Sequence, residues 1–197
     1  MSKLSKSFYE QADVVHIARS LLGKKICTCI EGQLTEGIIT ETEAYCGKND
    51  KACHAFKKRT KRTEVMYGDA GHAYVYLCYG IHHLFNIVTN KPGIADAILI
   101  RAIQPVSGIE TMCKRRGDKV MKPPVTSGPG KMTQALGISL RQNKVNLLGS
   151  TIWVEDFQTI KPTEIVTSRR IGVEYAEEDA LKPWRFYVKN NPWISKK

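Results

Sequence analysis

The sequence is short of several features that would have redirected its reading. No apolar run is long enough to cross a bilayer, and the N-terminal stretch MSKLSKSFYE has no apolar core of the signal-peptide kind. An intracellular protein with no membrane association is therefore expected. The six cysteines (Cys27, Cys29, Cys46, Cys53, Cys78 and Cys113) make no C-x-x-C pair and no zinc-finger spacing. Reduced thiols are the expectation, and no metal is assigned to Cys46, Cys53 and His54, although they lie close together in the chain. Acidic residues are the scarce charge: 19 Asp+Glu stand against 30 Lys+Arg, a formal net charge of +11. That surplus favours a polyanion partner, chiefly nucleic acid, bound in a salt-sensitive way. No repeat, low-complexity tract or internal linker interrupts the 197 residues. A single domain over 1–197 is expected, with short flexible ends at about 1–7 and 194–197.

Period and punctuation predict the elements. A helix runs over Asp13–Gly23, capped by Asp13, with Val14, Ile17, Ala18, Leu21 and Leu22 as its apolar stripe and Gly23 as its stop. Lys24–Ile30 and Thr35–Tyr45 read as a hairpin around Glu31-Gly32. His72–Tyr79 is the strongest strand and ends at Gly80; Leu84–Thr89 and Ala97–Ala102 are two more, parted by a turn at Asn90–Gly93. A helix is expected over Ser107–Gly117, then a loop, then a second helix to Leu136 with Ser127 as cap and Gly137 as stop. Short strands recur near Thr151–Glu155, Glu164–Ile171 and Phe186–Val188. Strands that follow one another without intervening helices imply a mixed α/β (α+β) domain with a mainly antiparallel, curved sheet flanked by helices.

The stretch Ile38–His54 (IITETEAYCGKNDKACH) carries the most chemistry. Strict alternation would send Ile39, Glu41, Glu43 and Tyr45 to one face and Ile38, Thr40, Thr42 and Ala44 to the other. A carboxylate and an aromatic ring then stand side by side at a strand end, ahead of a loop that carries His54. That arrangement suits a pocket for a flat polar molecule. On these residues alone, an edge strand with its acids in water and Tyr45 as packing is an equal reading. The basic loop Lys57–Thr63, with Lys58, Arg59, Lys61 and Arg62, is placed to hold phosphates, and the free N–H groups after Ser127 (Ser127–Lys131, SGPGK) offer a phosphate seat.

Five stretches in order, ETEAY (41–45), HAYVYLCYGIHHLFN (72–86), ILIRA (98–102), SGPGK (127–131) and KPWRFYV (182–188), closely resemble the alkyladenine (3-methyladenine) DNA glycosylases. The likeness runs from about Asp13 to Trp193 and points to a bacterial relative, in which the protein would be cytoplasmic and nucleoid-associated. The resemblance implies a monofunctional enzyme without cofactor. Such an enzyme flips damaged purines out of duplex DNA and hydrolyses the N-glycosidic bond, because C1′ is unreachable inside the stack. It implies Glu43 as the base that activates water and Arg101 as the residue positioning the reacting sugar; on strand position alone, Arg101 could equally be paired with Glu41. Tyr45, His54, Tyr76 and Asn86 would hold the base, with Asn86 disfavouring guanine. Tyr79 would wedge into the vacated stack with Ile81 beside it. Ile81 departs from the methionine of mammalian members, so the fit of that loop is expected to differ. Ser127 and Lys131 would meet the DNA backbone, and a monomer is expected. Two other readings compete: a non-catalytic basic nucleic-acid-binding module, and an alkyl-transferring repair protein with Cys46 or Cys53 as acceptor.

Overall fold

The computed structural model describes residues 2–196. Its spine is one long strand, β2 (Gln33–Tyr45), whose two edges are used by three neighbours. The strand β5 (Asp96–Ser107) follows one edge from Glu36 to Tyr45. Along the other edge, β1 (Lys25–Ile30) pairs with the first half of β2, and β8 (Arg185–Val188) pairs with Glu41–Glu43. The hairpin β3 (Ala73–Cys78) and β4 (His82–Thr89) joins through β4 to β5. At the far side β6 (Ile152–Glu155) joins β1, and β7 (Ile165–Ser168) joins β8. Every pairing is antiparallel, which bears out the α+β expectation.

Four α-helices accompany the sheet: α1 (Lys6–Tyr9), α2 (Val14–Ser20), α3 (Ile109–Arg116) and α4 (Pro129–Leu136). The start of α2 is as expected, with the Asp13 carboxylate accepting from the His16 N–H at 2.9 Å. Its regular turns stop at Ser20, and Gly23 takes φ +81° one turn later. For α4 the expected cap is corrected. The helix begins at Pro129, so Gly128 is the N-cap and no side chain caps it. The Ser127 hydroxyl is one residue too early and donates instead to Pro123 O at 2.5 Å.

The strict alternation expected along β2 is corrected as well. Register shifts against β5 fall between Ile39 and Glu41 and between Glu41 and Thr42. Each shift adds a residue to one strand and changes which way the following side chains point. Ile39 and Ala44 are five apart, which would place them on opposite faces of a regular strand, yet both lie in the main core. The bulges thus turn Ile39 away from the Glu41–Glu43–Tyr45 set and into the core with Ile17, Leu21, Phe85 and Phe186, all fully buried. Truncating any of these to alanine is expected to cost roughly 2–5 kcal/mol. A second cluster, including Cys53, Met66, Tyr74, Val88 and Ala97, lies under the 46–70 segment.

The chain ends are tied to the sheet within the described residues. Lys3 bridges to Glu155 and Leu4 is buried; at the other end Ser195 donates to Glu41.

Candidate active site

Glu41 and Glu43 point the same way, as alternation implied, and both carboxylates reach Arg101, which enters from β5. Arg101 donates from Nε to Glu41 at 3.0 Å and from Nη1 to Glu43 Oε2 at 3.1 Å. The pairing with Glu41 that strand position allowed is present, and a bond to Glu43 accompanies it. All three side chains are buried. Burial disfavours the Arg101 charge, but Glu43 and Glu41 outweigh it and raise its pKa.

The two acids differ in how fully they are bonded. Glu41 accepts from Arg101 Nε, from Arg185 Nε at 2.7 Å, and from the Ser195 N–H and hydroxyl at 2.5 and 2.7 Å. Three of these four bonds fall on Oε1 and one on Oε2, so Oε2 keeps one acceptor site. Glu43 accepts three bonds: from Arg101, from the Tyr45 hydroxyl at 2.8 Å and from the Ile171 N–H at 2.8 Å. Two of these fall on Oε2 and one on Oε1, so Oε1 likewise keeps one acceptor site. Glu43 stands directly behind the wall of a cavity of about 1010 Å³ that Tyr45 and Arg101 line.

That cavity also gathers His54, Tyr74, Tyr76 and Asn86. The His54 Nδ1 lies 2.9 Å from the Tyr74 hydroxyl, and the His54 and Tyr76 rings meet edge to face at 4.7 Å. His54 opens onto the cavity, yet the surrounding protein, and then the nearby Arg62 charge, lower its pKa to about 4, so the ring is neutral at pH 7. Burial, and next the adjacent Glu43 carboxylate, push the Tyr45 phenol well up, which keeps it a hydrogen-bond donor. Burial likewise raises Tyr76. Asn86 is buried and donates from Nδ2 to Tyr74 O at 3.1 Å.

Tyr79 and Ile81 stand at the tip of the β3–β4 hairpin, 89% and 73% exposed. The turn closes with the Ile81 N–H on Cys78 O at 3.1 Å, and both central residues have positive φ, +50° at Tyr79 and +70° at Gly80. Glycine takes that conformation freely; tyrosine holds it against a cost of roughly 1–2 kcal/mol. A strained, exposed aromatic of this kind is a mark of a contact surface. The basic residues divide. Lys58 and Lys61 are exposed outside the cavity wall. Arg59 is paired with Glu64 and lies over the Tyr67 ring. Arg62 lies inside, over Tyr76. Lys131 lines the cavity, and the loop before it is fixed by the Gly128 N–H on Arg101 O at 3.0 Å.

The sequence reading missed the group that holds this wall upright. Arg170, fully buried, donates to both oxygens of Asp50, at 2.5 and 2.7 Å, and to Ala44 O at 2.9 Å. Its guanidinium covers one face of Tyr45 at 4.8 Å, and its neighbour Ile171 supplies the N–H that fixes Glu43. Arg185 and Ser195 were missed in the same way. Of these, only Arg185 lay in a motif already singled out (KPWRFYV); Arg170 read as strand, and its partner Asp50 lay in the loop before His54 with no role assigned.

The acceptor thiols of the alkyl-transfer reading are poor nucleophiles. Burial pushes Cys53 up to about 12 and raises Cys46 as well, so neither is a ready thiolate. Among the described residues no helix is long and apolar enough to cross a membrane.

Known proteins resemble the chain over nearly its whole length. A protein of Alkaliphilus oremlandii, provisionally named a 3-methyladenine DNA glycosylase, is 44% identical over 99% of this chain and 100% of its own length. Provisional 3-methyladenine DNA glycosylases of Bacillus cereus and Methanocella arvoryzae are 44% and 45% identical, over 97% and 100% of this chain and 98% of each relative. The sequence profile of methylpurine-DNA glycosylase (MPG) matches residues 7–192, and the chain belongs to that family.

Proposed function

We propose that this DNA glycosylase acts as a monomer on duplex DNA, flips alkylated or deaminated purines into the cavity, and hydrolyses the N-glycosidic bond with water activated by Glu43. The substrates of this reading are 3-methyladenine, 7-methylguanine, hypoxanthine and 1,N6-ethenoadenine. The observation that supports the catalytic assignment is the placement of the two acids: the three donors to Glu43 (Tyr45, Arg101 and Ile171) all line the cavity, whereas Arg185 and Ser195, which hold Glu41, do not. As the base departs, the same carboxylate stabilises the oxocarbenium-like sugar, and Arg101, against Glu43, orients the reacting nucleotide.

Tyr45, His54 and Tyr76 hold the base by stacking and hydrogen bonding, and Asn86 disfavours guanine. Tyr79, with Ile81, fills the vacated stack and offsets part of the unstacking cost, a few kcal/mol. Lys58, Arg59, Lys61, Ser127 and Lys131 meet the backbone. No lysine Schiff base is needed, because the nucleophile is water.

The test is release of free base from duplexes carrying hypoxanthine or ethenoadenine and from methylated DNA, followed by borohydride trapping. Release without a covalent adduct is expected. Tight binding with no release from any substrate would replace this reading with a non-catalytic DNA-binding module, and a borohydride-trapped adduct would make the enzyme a lyase.

A further inference from the structure

Arg62 belongs to the cavity. Its guanidinium carbon lies 4.8 Å from the centre of the Tyr76 ring, and its Nη2 lies 3.4 and 3.5 Å from the two nitrogens of His54. The neighbouring arginines spend their charge on acids: Arg59 on Glu64, Arg101 on Glu41 and Glu43, Arg170 on Asp50. Among the described residues, Arg62 has no carboxylate partner; it meets the faces and edges of the aromatic wall. A full positive charge therefore stands where a flipped base must stack.

The damaged purines divide by charge. Alkylation at N3 or N7 leaves the base cationic, whereas deamination or etheno-bridge formation leaves it neutral. Aromatic faces alone attract a cationic base. With the guanidinium already over Tyr76, that attraction is partly taken, and a cationic base meets a like charge close by. A neutral base meets no such repulsion and stacks on the guanidinium plane as readily as on a ring.

We propose that Arg62 is a specificity-determining residue that lowers excision of cationic purines relative to neutral ones. This rests on the glycosylase reading above. It would make the lesion range a property of one loop side chain, separate from the Glu43–Arg101 chemistry.

The test compares single-turnover release of 7-methylguanine and of hypoxanthine from duplexes of one sequence, by wild type, Arg62→Gln and Arg62→Lys, with the enzyme-free depurination rate subtracted. Removing the charge is expected to raise the 7-methylguanine-to-hypoxanthine rate ratio about tenfold, the scale of two like charges ~5 Å apart in a partly wet cavity. Arg62→Lys, which keeps the charge, is expected to hold the ratio within about twofold of wild type. If Arg62 served only to hold a phosphate, its removal would slow both substrates together, so an unchanged or lower ratio in Arg62→Gln overturns the proposal. Release of neither base by wild type would instead remove the glycosylase reading, a failure visible before any variant is compared.

Discussion

The inner wall of the cavity and the tip of the β3–β4 hairpin are built on opposite terms. At the wall, Glu41, Glu43 and Arg101 are buried, and each is held by at least two partners drawn from distant parts of the chain. At the tip, Tyr79 and Ile81 are exposed, and the backbone bears local strain at Tyr79. The difference matches what the proposed roles ask of each. A carboxylate that activates water needs a fixed position and few competing donors, which only packing provides. A wedge must enter another molecule, so it cannot be covered by its own.

The sharpest way to break the wall without touching Glu43 is Arg170→Met. This leaves the Asp50 carboxylate buried and unpaired, and is expected to cost roughly 3–5 kcal/mol in denaturant unfolding. In whatever fraction remains folded, excision should slow, because the Ile171 N–H and the Tyr45 ring lose their support. A variant with wild-type stability would show that the wall does not depend on this pair.

At the tip the expectation reverses. Tyr79→Ala should leave unfolding within about 0.5 kcal/mol of wild type, because the side chain touches little. It should weaken binding to damaged duplex more than to undamaged duplex. Equal weakening on both would reduce Tyr79 to a general DNA-binding residue. A smaller effect is expected at the rim charges. Replacing Lys58 and Lys61 by glutamine should flatten the salt dependence of DNA binding, by about 0.9 in log–log slope for each phosphate no longer neutralised.

The smallest effect separates the two regions by pH. His54 is lowered to about 4, below the ordinary imidazole value, so the unfolded chain binds its proton more readily than the native one. Its contribution to stability is present above the unfolded value of about 6.5 and is lost as pH falls toward 4. His54→Gln should remove that part of the slope of unfolding free energy against pH, while a hairpin-tip variant should leave the slope intact.

Local signals carried much of the fold. The Asp13 cap, the Glu31-Gly32 turn and the Gly137 stop each need only a few adjacent residues, and each is found in place. Glu43 and Tyr45 share a strand face as alternation implied, because the bulges lie before them. What was not legible depends on distance. The parity change at Ile39 arises from a mismatch with β5, which β2 does not encode alone. Arg170 meets Asp50 across 120 residues, and Ser195 meets Glu41 across 154, and neither pairing leaves a local pattern. The Pro129 that starts α4 was visible, but the more usual capping role of Ser127 masked the one-residue shift. At the site, the acids and rings were readable by type, while which acid stands against the cavity required the fold.

That placement of Glu43 against the cavity is the centre of the account, and single-turnover base release by Glu43→Gln and Glu41→Gln, with unfolding measured on the same samples, tests it most directly. Glu43→Gln should fold and bind damaged duplex while releasing base at least about a thousandfold more slowly, a barrier increase of roughly 4 kcal/mol. Glu41→Gln should lose more stability than Glu43→Gln and retain much more of its chemistry. Near wild-type release by Glu43→Gln, or loss of release confined to Glu41→Gln, would contradict the assignment and move the catalytic role to the other acid.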